Sequence, residues 1–316
     1  MVNLLRVALS TLLLWSFVPA LPQDESILRS IVLTDAVIHA KRSGFQFEGL
    51  MRQVMSDTTF HQAFINTKYH PHRLTSLLRV HNKDEKEVAL LFRKGRLERK
   101  GRIAELVLDS VVEIGKLRNR DSSFRYLTAE MYDDVFFSKA PYTASNRISK
   151  HQQDIDRSSK FDKYKTELKK FMFDPGQEIG TVPFIGDKMA LFDTTMIPFY
   201  DYKLDVDLKN GRSCWLFTAM ARDSVNGKPA DEDDTVIKRM STWFDQETTQ
   251  VLAREYRIAH DALFLEFDIN ITVQNKWLDG TLLPVTIHYD GVWDIPFKKR
   301  EIVRFDMVMD EWVVVE

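Results

Sequence analysis

The chain has 316 residues, 44% of them hydrophobic and 28% charged, which is an ordinary composition for a soluble globular protein. Its 44 basic and 46 acidic residues leave a formal net charge of -2, and this near-neutral balance excludes a polyelectrolyte partner such as nucleic acid. The single cysteine, Cys214, excludes an intramolecular disulfide.

The N-terminus has the pattern of a secretory signal peptide. Arg6 supplies positive charge, residues 7–18 form a short apolar run, and Ala20 is a small residue close to the expected cleavage site. The run is too short to cross a bilayer comfortably. We therefore predict a signal peptide over residues 1–23, cleaved between Ala20 and Gln23. We also predict a periplasmic protein, because a secreted chain without disulfides fits a bacterial envelope.

Residues 24–70 are predicted to form a helical segment. A first helical face ends at Gly44 and carries apolar residues with helical spacing: Ile27, Leu28, Ile31, Val32 and Ile38. The same spacing continues at positions 47, 50, 51 and 54, and again at 60, 63, 64 and 67. Another helix is predicted from Arg147 to Phe173, inside an insertion near residues 137–186.

Most of the remaining chain alternates between apolar and polar residues, as strands do. The clearest case is 265–274, and residues 202–208 and 303–309 repeat it. Further strands are predicted at 74–80, 87–93, 103–114, 124–129, 213–221, 237–245, 251–258 and 282–289. Glycine-containing pairs predict tight turns between strands: Lys94-Gly95, Asn210-Gly211, Asn226-Gly227, Asp279-Gly280 and Asp290-Gly291. Pro284 predicts an edge strand or a bulge.

These patterns predict an α+β fold that is mainly β. Each strand has one apolar face, and the amphipathic helices need an apolar surface to cover. We therefore expect a half-open, curved antiparallel sheet of about ten or eleven strands, covered by the N-terminal and inserted helices. Residues 71–316 would form this single β domain.

Several residue groups suit chemistry, but each has a structural explanation as well. His70-Pro71-His72 resembles a metal-binding pair without a third ligand at a suitable spacing, so no metal site or other cofactor is predicted. The basic stretch from Arg93 to Arg102 suits either a solvated hairpin tip or contact with anionic lipid headgroups or an acidic partner. Asp290, Asp294 and Glu301 are the acids that a secreted hydrolase would use.

The C-terminal part of the chain resembles the LolA/LolB/RseB-like superfamily of periplasmic lipoprotein carriers and sensors. The resemblance lies in a strand that ends in Trp243-Phe244-Asp245, a turn through residues 246–250, the strand "LEFDINITVQ", and the "DGTLLPVTI" stretch that begins at Asp279. It covers about the last 130 residues. It implies a half-open antiparallel barrel closed by helices over an apolar cavity, and a protein that binds lipid or the acyl chains of lipoproteins.

The function predicted from these features is non-enzymatic lipid binding in the periplasm. The partners would be a lipid or an acylated protein, together with outer- or inner-membrane lipoprotein machinery. Seven residues are predicted to line the ligand surface: Leu265, Phe267, Ile269, Ile271, Phe305, Met307 and Met309. Asp268 and Asp306 are expected to face water. Two alternatives stay open, namely an outer-membrane β-barrel, which alternating strands also suit, and the secreted hydrolase.

Overall fold

The computed structural model describes residues 23–147, 175–176, 186–262, 265–294 and 300–316. Five short α-helices lie within these ranges: α1 (Gln23–Ser30), α2 (Asp35–Arg42), α3 (Phe47–Met55), α4 (Thr59–Asn66) and α5 (Leu127–Phe136). The predicted signal peptide lies outside the described residues except for Gln23. The helix predicted from Arg147 to Phe173 lies outside them except for Arg147, and the insertion predicted near 137–186 is described only in part.

The strands of the described residues fall into one large sheet and one small hairpin. The bounds are β1 (Ile31–Leu33), β2 (His72–His81), β3 (Glu87–Lys100), β4 (Ile103–Gly115), β5 (Tyr142–Thr143), β6 (Tyr200–Lys209), β7 (Arg212–Ala221), β8 (Ser224–Val225), β9 (Lys228–Pro229), β10 (Ile237–Asp245), β11 (Val251–Ala262), β12 (Leu265–Leu278), β13 (Thr281–Asp294) and β14 (Glu301–Asp310). The large sheet has the order β1-β6-β7-β10-β11-β12-β13-β14-β2-β3-β4-β5, and β8 pairs with β9.

The predicted half-open curved sheet with covering helices is confirmed. The sheet has twelve strands rather than ten or eleven, because β1 and β5 form its two edges. These strands have three and two residues, too few to show an alternation in sequence. The sheet is also mixed rather than wholly antiparallel, since β1 runs parallel to β6.

β1 corrects the predicted first helix. Ile31 pairs with Tyr202 and Leu33 with Leu204, so the helical pattern from Ile27 onward is divided into α1 and α2. The Thr34 side chain donates a hydrogen bond to Asp205 at 2.9 Å. Three residues that have helical spacing in the sequence therefore form the edge strand of the sheet. They can do so because strand pairing satisfies their backbone groups as well as a helix would.

Three of the five predicted turns are confirmed. Asn210, Asn226 and Asp279 each have a positive φ and are each followed by a glycine with positive φ, the conformation that a two-residue hairpin turn requires. Pro284 lies at the predicted bulge, where the register shifts so that Gln274 pairs with Thr286 and Asn275 with Pro284. That shift leaves Val285 between the two pairs and interrupts the expected alternation along β13.

The other two predicted turns are wrong, because their glycines lie inside strands where there is no room for a side chain. A Cβ on Gly95 would lie 2.5 Å from the Val107 carbonyl oxygen of β4, next to a register shift between β3 and β4. A Cβ on Gly291 would lie 2.5 Å from the Tyr289 hydroxyl. Glycine in a strand interior often marks such a close approach. The stretch from Arg93 to Arg102 is consequently mostly strand rather than a hairpin tip.

The strand predicted at 124–129 is also wrong. Phe124 makes a single bridge to Arg118, and the chain then enters α5 at Leu127. Every residue of the first turn is buried except Glu130. This helix packs on the concave face of the sheet and contributes Met131 and Tyr132 to the core.

The two faces of the sheet differ sharply in chemistry. The inner face joins the helices in one large hydrophobic core. The outer face carries cross-strand ion pairs and a His288–Asp306 hydrogen bond between half-exposed side chains, which is the polar cover expected of a sheet that is wet on one side. Asp268 bonds to Arg257 at 2.8 Å, and Asp306 bonds to His288 at 2.6 Å. Both aspartates therefore face outward, as predicted.

Candidate functional site

The seven residues predicted to line a ligand surface lie on two strands of the inner face. β12 carries the first four and β14 the other three. The six whose side chains are described are no more than 2% exposed: Phe267, Ile269, Ile271, Phe305, Met307 and Met309. The backbone of Leu265 pairs with Ala262 at the start of β12, and its side chain lies outside the described part. We keep the term predicted ligand surface for these residues.

The strand registers extend this surface sideways. Ile271 is opposite Tyr289, which is opposite Phe305, and Phe305 is opposite Leu78 of β2. Leu78 is in turn opposite Leu91 of β3. All five side chains are at most 2% exposed. With neighbouring strands about 4.8 Å apart, the row spans about 19 Å of continuous apolar surface.

Helix α5 covers the centre of the predicted ligand surface. The Tyr132 ring stacks on the Phe305 ring with centroids 3.8 Å apart, and it meets the Tyr289 ring edge to face at 5.6 Å. Met131 and Tyr132 are fully buried and Phe136 is 8% exposed. The space above the sheet is therefore occupied by side chains of this helix.

The N-terminus of α5 is held by a carboxylate from the sheet. Glu301, the first residue of β14, is 2% exposed. It accepts hydrogen bonds from the Leu127 and Thr128 backbone N–H groups, both at 2.9 Å, and from the Thr128 hydroxyl at 2.8 Å. Tyr126 at the N-cap makes no side-chain capping bond, so Glu301 supplies the acceptor that a helix start needs.

A second polar contact holds the middle of α5. Arg93 of β3 donates a hydrogen bond from Nη1 to Asp133 Oδ1 at 2.6 Å, and its guanidinium carbon lies 3.2 Å from the centroid of the Phe137 ring. Arg93 is 4% and Asp133 is 7% exposed. Burial lowers the pKa of Arg93, although the bond to Asp133 works in the opposite direction.

Two buried polar atoms under α5 lack partners. Neither the Tyr132 hydroxyl nor Arg93 Nε has a hydrogen-bond partner among the described residues. Burial raises the pKa of Tyr132 well above its ordinary value, so the hydroxyl stays neutral. Leaving such a group unsatisfied costs about 1–3 kcal/mol. The observed position of α5 on the sheet is therefore less favourable than its apolar packing alone suggests.

A similar contact holds the start of α4 on the other side of the predicted ligand surface. Arg254 of β11 donates to Asp57 at 3.3 Å and to the Thr242 hydroxyl at 3.1 Å, and it lies over the Phe60 ring. Asp57 also accepts from the Thr59 backbone N–H at 2.9 Å. Two buried arginines of the sheet thus each pair with an aspartate of the helical layer.

The structure separates the carboxylates considered for a hydrolase. Asp290 and Asp294 are half-exposed and lie near Arg304 and Arg300, at 3.4 and 3.8 Å. Glu301 lies on the inner face at the start of α5. These three acids do not face one another across a cleft, which is the arrangement that glycoside hydrolysis requires.

The histidines are part of the packing near the C-terminal segment. His72 stacks on Trp312 with ring centroids 4.0 Å apart, and burial lowers its pKa to about 4. His70 Nδ1 accepts from the Val315 backbone N–H at 3.2 Å. Within the described ranges, no group of three or more His, Cys, Asp or Glu side chains is placed to hold a metal ion.

One cleft in the described structure lies away from the predicted ligand surface. It has a volume of about 740 Å³ and is lined by the start of α4, the β12–β13 turn and the C-terminal segment. Its walls are mixed, with the amides of Gln62, Asn66 and Gln250 beside apolar side chains such as Trp277 and Leu282. Beside Met309, a void has a volume of only about 10 Å³, which is room for one water molecule at most.

Sequence reasoning missed the residues that attach α5 to the sheet. The sequence assigns Arg93 to a basic stretch and Glu301 to the candidate acids of a hydrolase, and neither pattern predicts a buried contact because charged residues are seldom fully buried unless they are paired. A signal for α5 itself was present. Leu127, Met131 and Val135 are spaced by four residues, which is typical of one helical face.

Comparisons with known proteins give weak similarities. No protein-family model matches the sequence, and no curated protein matches it. Among solved structures, the chain is similar to a DUF1329 family protein from Desulfovibrio piger and to a domain from Vibrio parahaemolyticus described as an outer membrane lipoprotein-sorting protein. Each has 13% identity, a TM-score of 0.25, and coverage of 80% of this chain and 90% of the other. Lipovitellin is also similar, with 7% identity, a TM-score of 0.24, and coverage of 78% of this chain and 25% of its own.

The description of the Vibrio parahaemolyticus domain as lipoprotein-sorting agrees with the class of lipoprotein carriers that the sequence resembles. At TM-scores this low the likeness carries no conclusion about the ligand of this chain. No helix in the described part of the chain is both long enough and apolar enough to cross a membrane.

Proposed function

We propose that the protein is a periplasmic, non-enzymatic binding protein that takes acyl chains of a lipid or an acylated protein onto the predicted ligand surface. The observation that carries this proposal is the position of α5. It covers a broad apolar face and is attached there by two separate polar contacts, at Glu301 and at Arg93. The N-terminal sequence supports export to the periplasm, and lipoprotein machinery of either membrane would be the partner.

An acyl chain can replace the apolar contacts that α5 makes with the sheet. The sheet loses contact with Met131, Tyr132 and Phe136, and gains contact with methylene groups worth about 0.8 kcal/mol each on burial. The methionines of β14 adapt to irregular ligands. Loading must also break the polar contacts of α5 at Glu301 and Arg93, which an acyl chain alone cannot replace.

Opening also relieves the unsatisfied groups in the closed position. The Tyr132 hydroxyl leaves a site where it has no partner within the described structure, and water then satisfies it. The helix has ten residues, and an isolated helix of this length is marginal in water. We therefore infer that α5 detaches and unfolds in part when the ligand enters.

Fluorescence titration with a fatty acid that carries an environment-sensitive dye tests this function. We expect the full chain to bind the probe saturably and to release it when palmitate is added. Met307→Asp should abolish binding, because a carboxylate on an apolar surface carries a large desolvation cost.

Val308→Asp is the matched control, since Val308 is the next residue of β14 and is 47% exposed on the outer face. It should bind the probe as the unmodified chain does. Circular dichroism and urea unfolding of both variants establish that each is folded. Absence of saturable binding by the unmodified chain, or full binding by a folded Met307→Asp variant, would contradict the proposal.

A further inference from the structure

We propose that Arg93 is the headgroup site for an anionic lipid, whose carboxylate or phosphate replaces Asp133 when α5 opens. This inference rests on the proposed function and specifies its ligand class. In the sheet, Ile287 is opposite Met307, Met307 is opposite Ser76, and Ser76 is opposite Arg93. Arg93 thus lies in one row with the predicted ligand surface, two strands, or about 10 Å, from Met307.

The guanidinium of Arg93 has unused capacity to bind an anion. Of its five N–H donors, one bonds to Asp133, and Nε has no partner in the described chain. A planar guanidinium can bind a carboxylate or a phosphate through two parallel N–H···O bonds. Asp133 accepts only one such bond from Arg93, through Oδ1. A free headgroup can approach Nε as well, because the backbone of a helix does not restrain it.

Asp133, the other partner in the ion pair, still has a cation nearby when α5 leaves the sheet. Asp133 Oδ2 lies 3.7 Å from Lys139 Nζ, and Lys139 is close in sequence to α5, so this pair can persist after the helix lifts. Arg93 would have no such substitute. The other charges that act on it, those of Glu113 and Arg118, are bonded to each other at 2.6 Å.

An uncharged lipid would therefore leave Arg93 as an unpaired cation beside an apolar ligand. Removal of one partner from a buried ion pair is strongly destabilising, so loading with a neutral lipid is disfavoured. An anionic headgroup removes this penalty because it takes the place of the Asp133 carboxylate. Arg254, by contrast, bonds to both Asp57 and Thr242 and has less capacity to spare.

Competition binding with matched lipid pairs tests the inference on the full chain. Palmitate is compared with hexadecanol above the pKa of free carboxylic acids, and phosphatidate is compared with the diacylglycerol of the same chains. We expect the anionic member of each pair to bind roughly tenfold more tightly or better, as one hydrogen bond to a charged group implies. A preference in only one pair identifies carboxylate or phosphate as the headgroup.

Arg93→Gln should reduce the preference to near unity while hexadecanol still binds. Arg96→Gln is the matched control, because Arg96 lies on the same strand but is bonded on the outer face to Glu98 and should leave the preference intact. Equal affinity for both members of each pair in the unmodified chain would overturn the inference and leave lipid binding in place. Failure of all four lipids to bind would refute the proposed function itself.

Discussion

Replacement of Glu301 by glutamine should loosen α5 without unfolding the sheet. The glutamine oxygen can still accept the two bonds from Thr128, but its NH₂ group would face the Leu127 N–H, which donates to Glu301 Oε2 at 2.9 Å. One bond to a charged acceptor is lost, worth about 1.5–3 kcal/mol. The favourable interaction of a carboxylate with a helix N-terminus is lost as well, worth about 0.3–1 kcal/mol. We expect opening of α5 to become easier by about 2–4 kcal/mol.

Hydrogen–deuterium exchange measures this opening directly. A change of about 2–4 kcal/mol corresponds to exchange that is about 30- to 1,000-fold faster for the amides of α5. The apparent Kd for a fatty acid should fall as well, because a larger fraction of molecules is then competent to bind.

Glu266→Gln is the matched control for this experiment. Glu266 is paired with Arg300 at 3.2 Å and its side chain is 40% exposed, so the pair is worth about 1 kcal/mol at most. It should leave α5 exchange unchanged. Unaltered protection of α5 in Glu301→Gln would refute the role of Glu301, as would faster exchange spread evenly over all strands.

Three further predictions concern stability and are measured by urea unfolding. Phe305→Ala should lower the free energy of unfolding by about 3–5 kcal/mol, because the fully buried ring leaves a cavity under α5. Burial alone raises the pKa of Asp245, but its bonds to Arg212 and Thr248 outweigh this and hold the pKa at about 2. Since the pKa of Asp245 in the unfolded chain is about 3.9, its ionisation contributes about 2.6 kcal/mol to stability at pH 7, and this is lost as the pH falls from about 5 to 1. Asp245→Asn should remove that pH dependence. Gly95→Ala should destabilise the chain by more than 1 kcal/mol, because its Cβ would overlap a backbone oxygen of β4.

Each of these variants has a control in the same sheet or helical layer. Val308→Ala removes an outer-face side chain and should cost far less than Phe305→Ala. Asp268→Asn changes a half-exposed aspartate and should keep the acid-dependent loss. Gly49→Ala, in α3, meets only an ordinary 3.7 Å contact and should stabilise the chain by up to about 1 kcal/mol. A stable Gly95→Ala variant would show that β4 can move away from β3.

The regular alternation of the chain was sufficient to predict the inner face of the sheet. Phe267 and Phe305 were placed on one apolar side, with Asp268 and Asp306 on the other, because strand geometry allows only two directions. A different rule, that a glycine after a polar residue marks a turn, failed at Gly95 and Gly291. Glycine next to a polar residue is typical of a turn, whereas here each glycine allows another group to approach closely.

The polar contacts of α5 were beyond sequence reasoning for a different reason. Arg93 and Asp133 are 40 residues apart and Thr128 and Glu301 are 173 apart, so only the folded sheet brings them together. Neither pair has a local pattern that distinguishes it from a surface charge. The edge strand β1 was missed because partners in β6, rather than its own composition, determine its conformation.

Photoaffinity labelling tests the central claim most directly. The probe is a palmitate analogue with a diazirine in its chain, bound to the full protein, irradiated and mapped by peptide mass spectrometry. We expect labels on the inner-face residues of β12 and β14, with Phe267, Phe305 and Met307 among them, and excess palmitate should prevent the labelling. Labels confined to the cleft around Trp277 and Gln62, or to the outer face around Val308, would contradict an acyl-binding role for the surface beneath α5.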